Sequence, residues 1–275
     1  MKEAVYKLTG STAISIALIA DTHNTNSTPI LASLQSHNPD LICIAGDILV
    51  GYRPRSDEPI IGDQEHVLPL ISGCVAIAPT YISLGNHEWM VSSDDVELLE
   101  KAGAVVLDNR YVSHTCENGT KIVIGGLSSA IVTNFQQFRT RCYADGTDMN
   151  RYPYRPKHTH AYEIPPEATW LSNYEAQTGY KILLCHHPEY WSLRVPYLIN
   201  HPIDLILSGH AHGGQVRIFN QGLYTPGQGW MPKFTSGVFE GEHGKMIISR
   251  GLANTACIPR LFNEPEIVYV EVEKI

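Results

Sequence analysis

Several architectures are excluded by what this 275-residue chain lacks. No apolar run approaches the roughly 18 residues needed to cross a bilayer. The strongest candidate, 14–20 (ISIALIA), is short, and Leu18 stands where a cut after Ala20 would require a small residue, so a secretory signal is not expected. The six cysteines, at positions 43, 74, 116, 142, 185 and 257, form no CxxC pair. Neither a disulfide framework nor a thiolate zinc site is therefore expected, and the spacing reads as reduced thiols in a cytoplasmic protein. Positive charge is scarce: 20 Lys and Arg face 28 Asp and Glu, for a net charge of -8. A surface of that sign repels nucleic-acid polymers. There is no GxSxG nucleophile elbow, no phosphate-cradling GxxxxGK loop, no repeat and no low-complexity tract.

The composition itself is globular, 43% hydrophobic, with 22 Gly and 17 Pro in no collagen-like period. Against the acidic background stand 13 histidines, a residue that serves both as metal ligand and as proton shuttle near neutral pH.

Short runs rich in Ile, Val and Leu, bounded by turn residues, predict buried strands at 14–20, 41–45, 80–84, 121–124, 181–185 and 203–207. Helices are predicted at 29–37, where Pro29 suits a first turn, at 93–102, which Gly103 stops, and at 166–177. The last quarter returns to β-like pieces at 214–219, 246–249 and 267–272. The segment 128–166 lacks periodicity and reads as a long ordered excursion within a single domain spanning 1–275.

The residues with chemical potential cluster immediately after these strands. Asp21 and His23 come after the first, Asp47 after the second, and Asn86, His87 and Glu88 after the third. His186 and His187 come after 181–185, and His210 and His212 after 203–207. The carboxyl edge of an α/β sheet is where ligands bind, so groups far apart in sequence can converge there. Carboxylates, imidazoles and one amide, without thiolate, suit manganese, iron or zinc. Seven or eight such donors exceed the needs of one ion and fit two ions sharing a carboxylate.

The ordered set DTH, GD, GNHE, HHP and GHAH resembles the five motifs of the calcineurin-like metallophosphoesterases. The later SRGL, IPR and EPEIVYVEV resemble the tail of a bacterial subgroup with YkuE-like and YaeI-like phosphodiesterases. The resemblance implies an α/β (α+β sandwich) fold of two central mixed sheets flanked by helices in four layers. It implies that Asp21, His23 and His212 hold one metal, that Asn86, His186 and His210 hold the second, and that Asp47 bridges them. Under the same pattern His187 is a neighbour. His87 contacts the phosphoryl group, stabilising charge or protonating the leaving oxygen.

Three positions depart from the commonest family spelling, Thr22, Glu88 and Ala211. Glu88 is placed to orient the His87 imidazole, and its extra length alters that contact.

The expected function is hydrolysis of a phosphodiester or phosphomonoester, the diester favoured, by hydroxide attack activated by two divalent or trivalent ions. The alternative is a non-catalytic metal-binding scaffold or interaction protein that keeps the fold. The expected ligand is a small phosphorylated molecule. In the 128–166 excursion, five cations stand against three carboxylates among interleaved Phe and Tyr. From that segment Arg139, Arg141, His158 and His160 are candidate substrate contacts.

Overall fold

The computed structural model describes residues 1–50, 59–88, 91–116, 119–129, 169–194, 197–254 and 259–275. Among them run strands β1 (Lys2–Gly10), β2 (Ile14–Ile19), β3 (Leu41–Ala45), β4 (Thr80–Ser83), β5 (Val105–Val106), β6 (Arg110–Thr115) and β7 (Lys121–Leu127). They continue with β8 (Tyr180–Cys185), β9 (Leu205–Ser208), β10 (Arg217–Ile218), β11 (Gln221–Gly222), β12 (Tyr224–Thr225) and β13 (Gly229–Trp230). The last three are β14 (Gly237–Glu240), β15 (Lys245–Ile248) and β16 (Glu266–Lys274). The helices are α1 (Thr28–His37), α2 (Val67–Ile77), α3 (Ser93–Lys101) and α4 (Thr169–Glu175).

Two six-stranded mixed sheets form, in the orders β1-β16-β2-β3-β4-β5 and β14-β15-β9-β8-β7-β6. Strands β2 to β5 are parallel, as are β7, β8, β9 and β15. Both faces of each sheet are covered, which is why the central strands read as unbroken apolar runs. On β3, Leu41, Cys43 and Ala45 enter the core between the sheets, whereas Ile42 and Ile44 pack with residues of α1 and α2. A third cluster joins the outer face of β7 to β9 to Leu171 and Tyr174 of α4. This is the expected pair of mixed sheets flanked by helices.

Strand β1 and helix α2 are among the elements that were not expected. Strand β1 pairs in parallel with β16 at the sheet edge, a contact between the two ends of the chain that local pattern does not report. Helix α2 reads VLPLISGCVAI, whose Pro and Gly argue against a helix by propensity. Pro69 falls in its first turn, where a missing N–H costs nothing. Gly73 is demanded by packing, because a Cβ there would lie 2.5 Å from Leu31 Cδ1 of α1. Cys43 and Cys74 are buried, and burial pushes both thiols up to about 12, so they serve as packing groups rather than nucleophiles. Most of the 128–166 excursion, including Arg139, Arg141, His158 and His160, lies outside the described residues, as does the start of the predicted 166–177 helix.

Candidate metal centre

Five strands, three from one sheet and two from the other, end at the same edge of the sandwich. Just beyond β2, β3, β4, β8 and β9 come Asp21, Asp47, Asn86, His186 and His210. The first two loops continue the ladder of their strands: Asp21 N–H donates to Gly46 O at 3.1 Å and His23 N–H to Asp47 O at 3.1 Å. Within the second sheet, Gly209 N–H donates to His186 O at 3.1 Å, and across the two sheets His210 N–H reaches both Asp21 oxygens at 3.1 Å.

Close approach of the loops depends on glycine. A Cβ on Gly85 would sit 2.2 Å from Asp47 Oδ1, and one on Gly46, whose φ is +79°, would sit 2.5 Å from Gly85 N. The neighbouring side chains do not escape the same geometry. Asp21, His23, Asp47, His210 and His212 all adopt positive φ, between 41° and 66°. Asp and His tolerate that region better than most residues, yet each such residue costs of order 1 kcal/mol or more. Five at one edge mark a place where the fold gives up stability to aim side chains.

Three overlapping groups of ligand atoms result: Asp21 with His23 and His212, His23 with Asp47 and His87, and Asp47 with His186 and His210. Within each, the atoms lie within 4.8 Å of one another. Asp47 is shared: its Oδ2 is 3.1 Å from His186 Nε2 and 3.9 Å from both His23 Nε2 and His87 Nε2. Asn86 Oδ1 is 3.2 Å from His186 Nε2, and His212 Nε2 is 3.4 Å from Asp21 Oδ1. All seven residues that the resemblance assigns to metals, together with His87, thus stand at one end of the sandwich. The five residues Asp47, Asn86, His87, His210 and His212 form the floor of a cavity of about 490 Å³.

The electrostatics are those of a site short of positive charge. Asp21 and Asp47 are both fully buried. Burial raises the Asp21 pKa, and the Asp47 charge adds to the rise against the pull of His186. Burial acts to raise Asp47 as well, but His186, His87 and His23 overcome it and hold that carboxyl well below the usual range. Burial opposes charge on His186 too, yet Asp47 at 3.1 Å pushes its pKa up to about 10. His23 and His212 are driven the other way, down to about 4, in both cases first by burial. For His212 the next cause is the Arg260 guanidinium, whose Nη2 is 3.1 Å from its Nδ1.

A cation fits these residues. His23 Nδ1 lies 2.8 Å from the Leu49 carbonyl, which fixes the ring, while its buried Nε2 has no hydrogen-bond partner. An imidazole nitrogen left that way would cost of order 1–3 kcal/mol unless something else meets its lone pair. His186 Nδ1 is held the same way by Ala45 O at 2.7 Å, the outer contact that orients a ligating ring. The donors are nitrogen and oxygen only, the set that suits manganese, iron and zinc.

His187 is a buried neighbour, its Nδ1 2.6 Å from Ser129 Oγ. Glu88 departs from its expected role. Its carboxylate does not serve to orient the His87 ring; Oε2 accepts the backbone N–H groups of Gly85 at 2.6 Å and Asp47 at 2.8 Å, and Oε1 accepts that of Leu49 at 3.0 Å. The longer side chain reaches past His87 and ties the Gly46–Asp47 turn to the Gly85–Asn86 turn. Two further residues at the site, Arg260 and Asn263, are not singled out by the sequence; the Asn263 amide donates to the His212 carbonyl at 2.7 Å. The IPR tripeptide carried the signal for Arg260 without indicating what it touches.

The calcineurin-like phosphoesterase family profile matches residues 14–214. The chain is 26% identical over 264 residues to the uncharacterized protein YpbG of Bacillus subtilis, covering 94% of this chain and 81% of that protein. It is 25% identical over 242 residues to the uncharacterized metallophosphoesterase YkuE of the same organism, covering 86% and 69%. Among solved structures, a dimetal phosphatase from Danio rerio aligns with 12% identity and a TM-score of 0.47, covering 86% of this chain and 87% of that one.

Proposed function

The chain belongs to the calcineurin-like phosphoesterase family, and from that premise we propose that it hydrolyses a small phosphodiester in preference to a phosphomonoester, using two metal ions. In this reading Asp21, His23 and His212 hold one ion, Asn86, His186 and His210 the other, and Asp47 both. The observation that carries it is the convergence of seven nitrogen and oxygen donors, one of them the shared, buried Asp47 carboxylate, with the His23 Nε2 lone pair unmet. Manganese, iron or zinc bound there would supply Lewis acidity, polarising a phosphoryl oxygen and acidifying water.

The chain's own residues do the rest. The low pKa values of His23 and His212 keep both imidazoles neutral at working pH, the state required for ligation. Asn86 adds an oxygen donor without adding charge. His87 lines the cavity with its side chain partly exposed, and its backbone N–H is fixed by Asp47 Oδ1 at 2.8 Å. From there its ring contacts the phosphoryl group and delivers a proton to the leaving oxygen. Proximity of these groups on rigid strand ends, rather than a protein nucleophile, lowers the barrier.

We assign the activity to a single domain spanning the chain and place it in the cytoplasm, a reading supported by the free thiols of Cys43, Cys74, Cys116 and Cys185. The test is turnover by manganese-loaded protein on an aryl diester, the matching aryl monoester, cyclic nucleotides, phosphoproteins and pyrophosphate-linked lipids. The expected result is hydrolysis, fastest on a diester. Metal-loaded protein inert on every ester would replace this reading with the scaffold alternative.

A further inference from the structure

The cavity above the metal floor has a second, chemically opposite half. Its wall is built from Val216, Leu223, Tyr224, Pro226 and Trp230. Tyr224 and Trp230 are cross-strand partners on β12 and β13, their rings 5.5 Å apart in an edge-to-face contact. Trp230 is 77% exposed and the adjacent Met231, whose N–H donates to Leu223 O at 2.9 Å, is 63% exposed. Large apolar side chains left in water beside a polar floor mark a surface that meets an apolar group.

The wall is also prebuilt. Gln228, in the β12–β13 turn, donates to Glu189 Oε1 at 3.0 Å and to Phe234 O at 2.8 Å, and accepts Phe234 N–H at 2.9 Å. Glu189 lies three residues after His186, so the hairpin is fastened to a loop that also carries a proposed metal ligand. Gly227 closes the contact, since a Cβ there would lie 2.4 Å from Glu189 Oε1.

We infer that the substrate is amphiphilic: a phosphoester whose phosphate meets the floor while an aliphatic chain lies along the Tyr224–Trp230 wall. This rests on the phosphoesterase reading for what occupies the floor. The wall itself selects the rest of the molecule. Apart from the Tyr224 hydroxyl and the Trp230 indole N–H, these five side chains offer a sugar or peptide no hydrogen-bonding groups, and each polar group left unmatched costs of order 1–3 kcal/mol. A methylene chain loses nothing there and gains from leaving water.

The test is calorimetric binding of methyl-, butyl- and octylphosphonate to manganese-loaded protein. These are non-hydrolysable, so the result does not depend on turnover and stands apart from failure of the phosphoesterase reading. Affinity is expected to rise with chain length, octyl over methyl by about tenfold or more, the gain from burying roughly two methylenes. In Trp230→Ala that octyl-to-methyl ratio is expected to fall toward one. Equal affinities across the series, no binding of octylphosphonate, an unchanged ratio in Trp230→Ala, or tighter binding of adenosine 5′-phosphonate than of octylphosphonate would each overturn the inference.

Discussion

The Glu88 carboxylate accepts the backbone N–H of Asp47 at 2.8 Å, and so fixes the residue whose own carboxylate is shared among the ligand groups. Burial, and then the Asp47 charge, push the Glu88 pKa up to about 7. Glu88→Gln would place an amide donor against backbone donors. The expected cost is about 1–3 kcal/mol of stability, the usual penalty for an unmatched buried polar group, together with a lower metal content. Chemical denaturation and metal analysis of the same sample check it. Full metal content in the variant would mean that the clamp does not position Asp47.

Gly85→Ala is expected to be more damaging than its size suggests. The added methyl would lie 2.2 Å from Asp47 Oδ1 and 2.5 Å from Asp47 N, so the two turns must part. We expect a folded protein with at least tenfold weaker metal binding, the lower end of what loss of ligand support costs. Circular dichroism and a metal titration separate this from unfolding.

Metal loading should release a proton. In the metal-free protein His186 is raised to about 10 by Asp47 despite its burial, and a ligating imidazole must be neutral. At pH 7.5 His186 therefore gives up about one proton, while His23 and His212, already neutral with values of about 4, give up none. Calorimetry in buffers of different ionisation enthalpy measures the number. Stability shifts with pH for the same reason. A histidine raised in the folded state stabilises fully below its ordinary value, and that contribution fades as pH climbs toward 10. The metal-free protein should lose stability over that alkaline window, and the loaded protein should not. On the acid side, the depressed His23 and His212 make stability fall as pH drops from about 6.5 to 4.

For His87→Ala the expected result is a fall in kcat of about 100- to 10,000-fold, the range that a positioned proton donor supplies, with metal content retained. Loss of metal in parallel with activity would instead make His87 a ligand.

The strand ends that build this centre were legible because each couples a short apolar run to a turn of Gly, Asp, Asn or His, as at Leu41–Ala45 and then Gly46 and Asp47. Helices α1 and α3 carried local punctuation, Pro29 at the first and Gly103 beyond the end at the second, to which the structure adds a Ser92–Asp95 capping box. What escaped depends on partners distant in sequence. Strand β1 exists because β16 lies beside it, and Gly73 in α2 is explained only by Leu31. The reach of Glu88 to the backbone of Asp47, 41 residues earlier, comes from how two loops cross rather than from any motif. The Tyr224–Trp230 wall was hidden in a Gly- and Pro-rich stretch whose two-residue strands give no periodic signal.

The decisive experiment joins metal content to chemistry at the shared carboxylate. Wild-type protein and Asp47→Asn, each equilibrated with manganese, would be compared for ions bound per chain and for hydrolysis of bis(p-nitrophenyl) phosphate. Two ions and measurable turnover are expected in the wild type, and fewer ions with turnover reduced by orders of magnitude in the variant. Equal turnover in the two proteins, or two ions bound by a wild type that hydrolyses no phosphate ester, would contradict a binuclear phosphoesterase centred on Asp47.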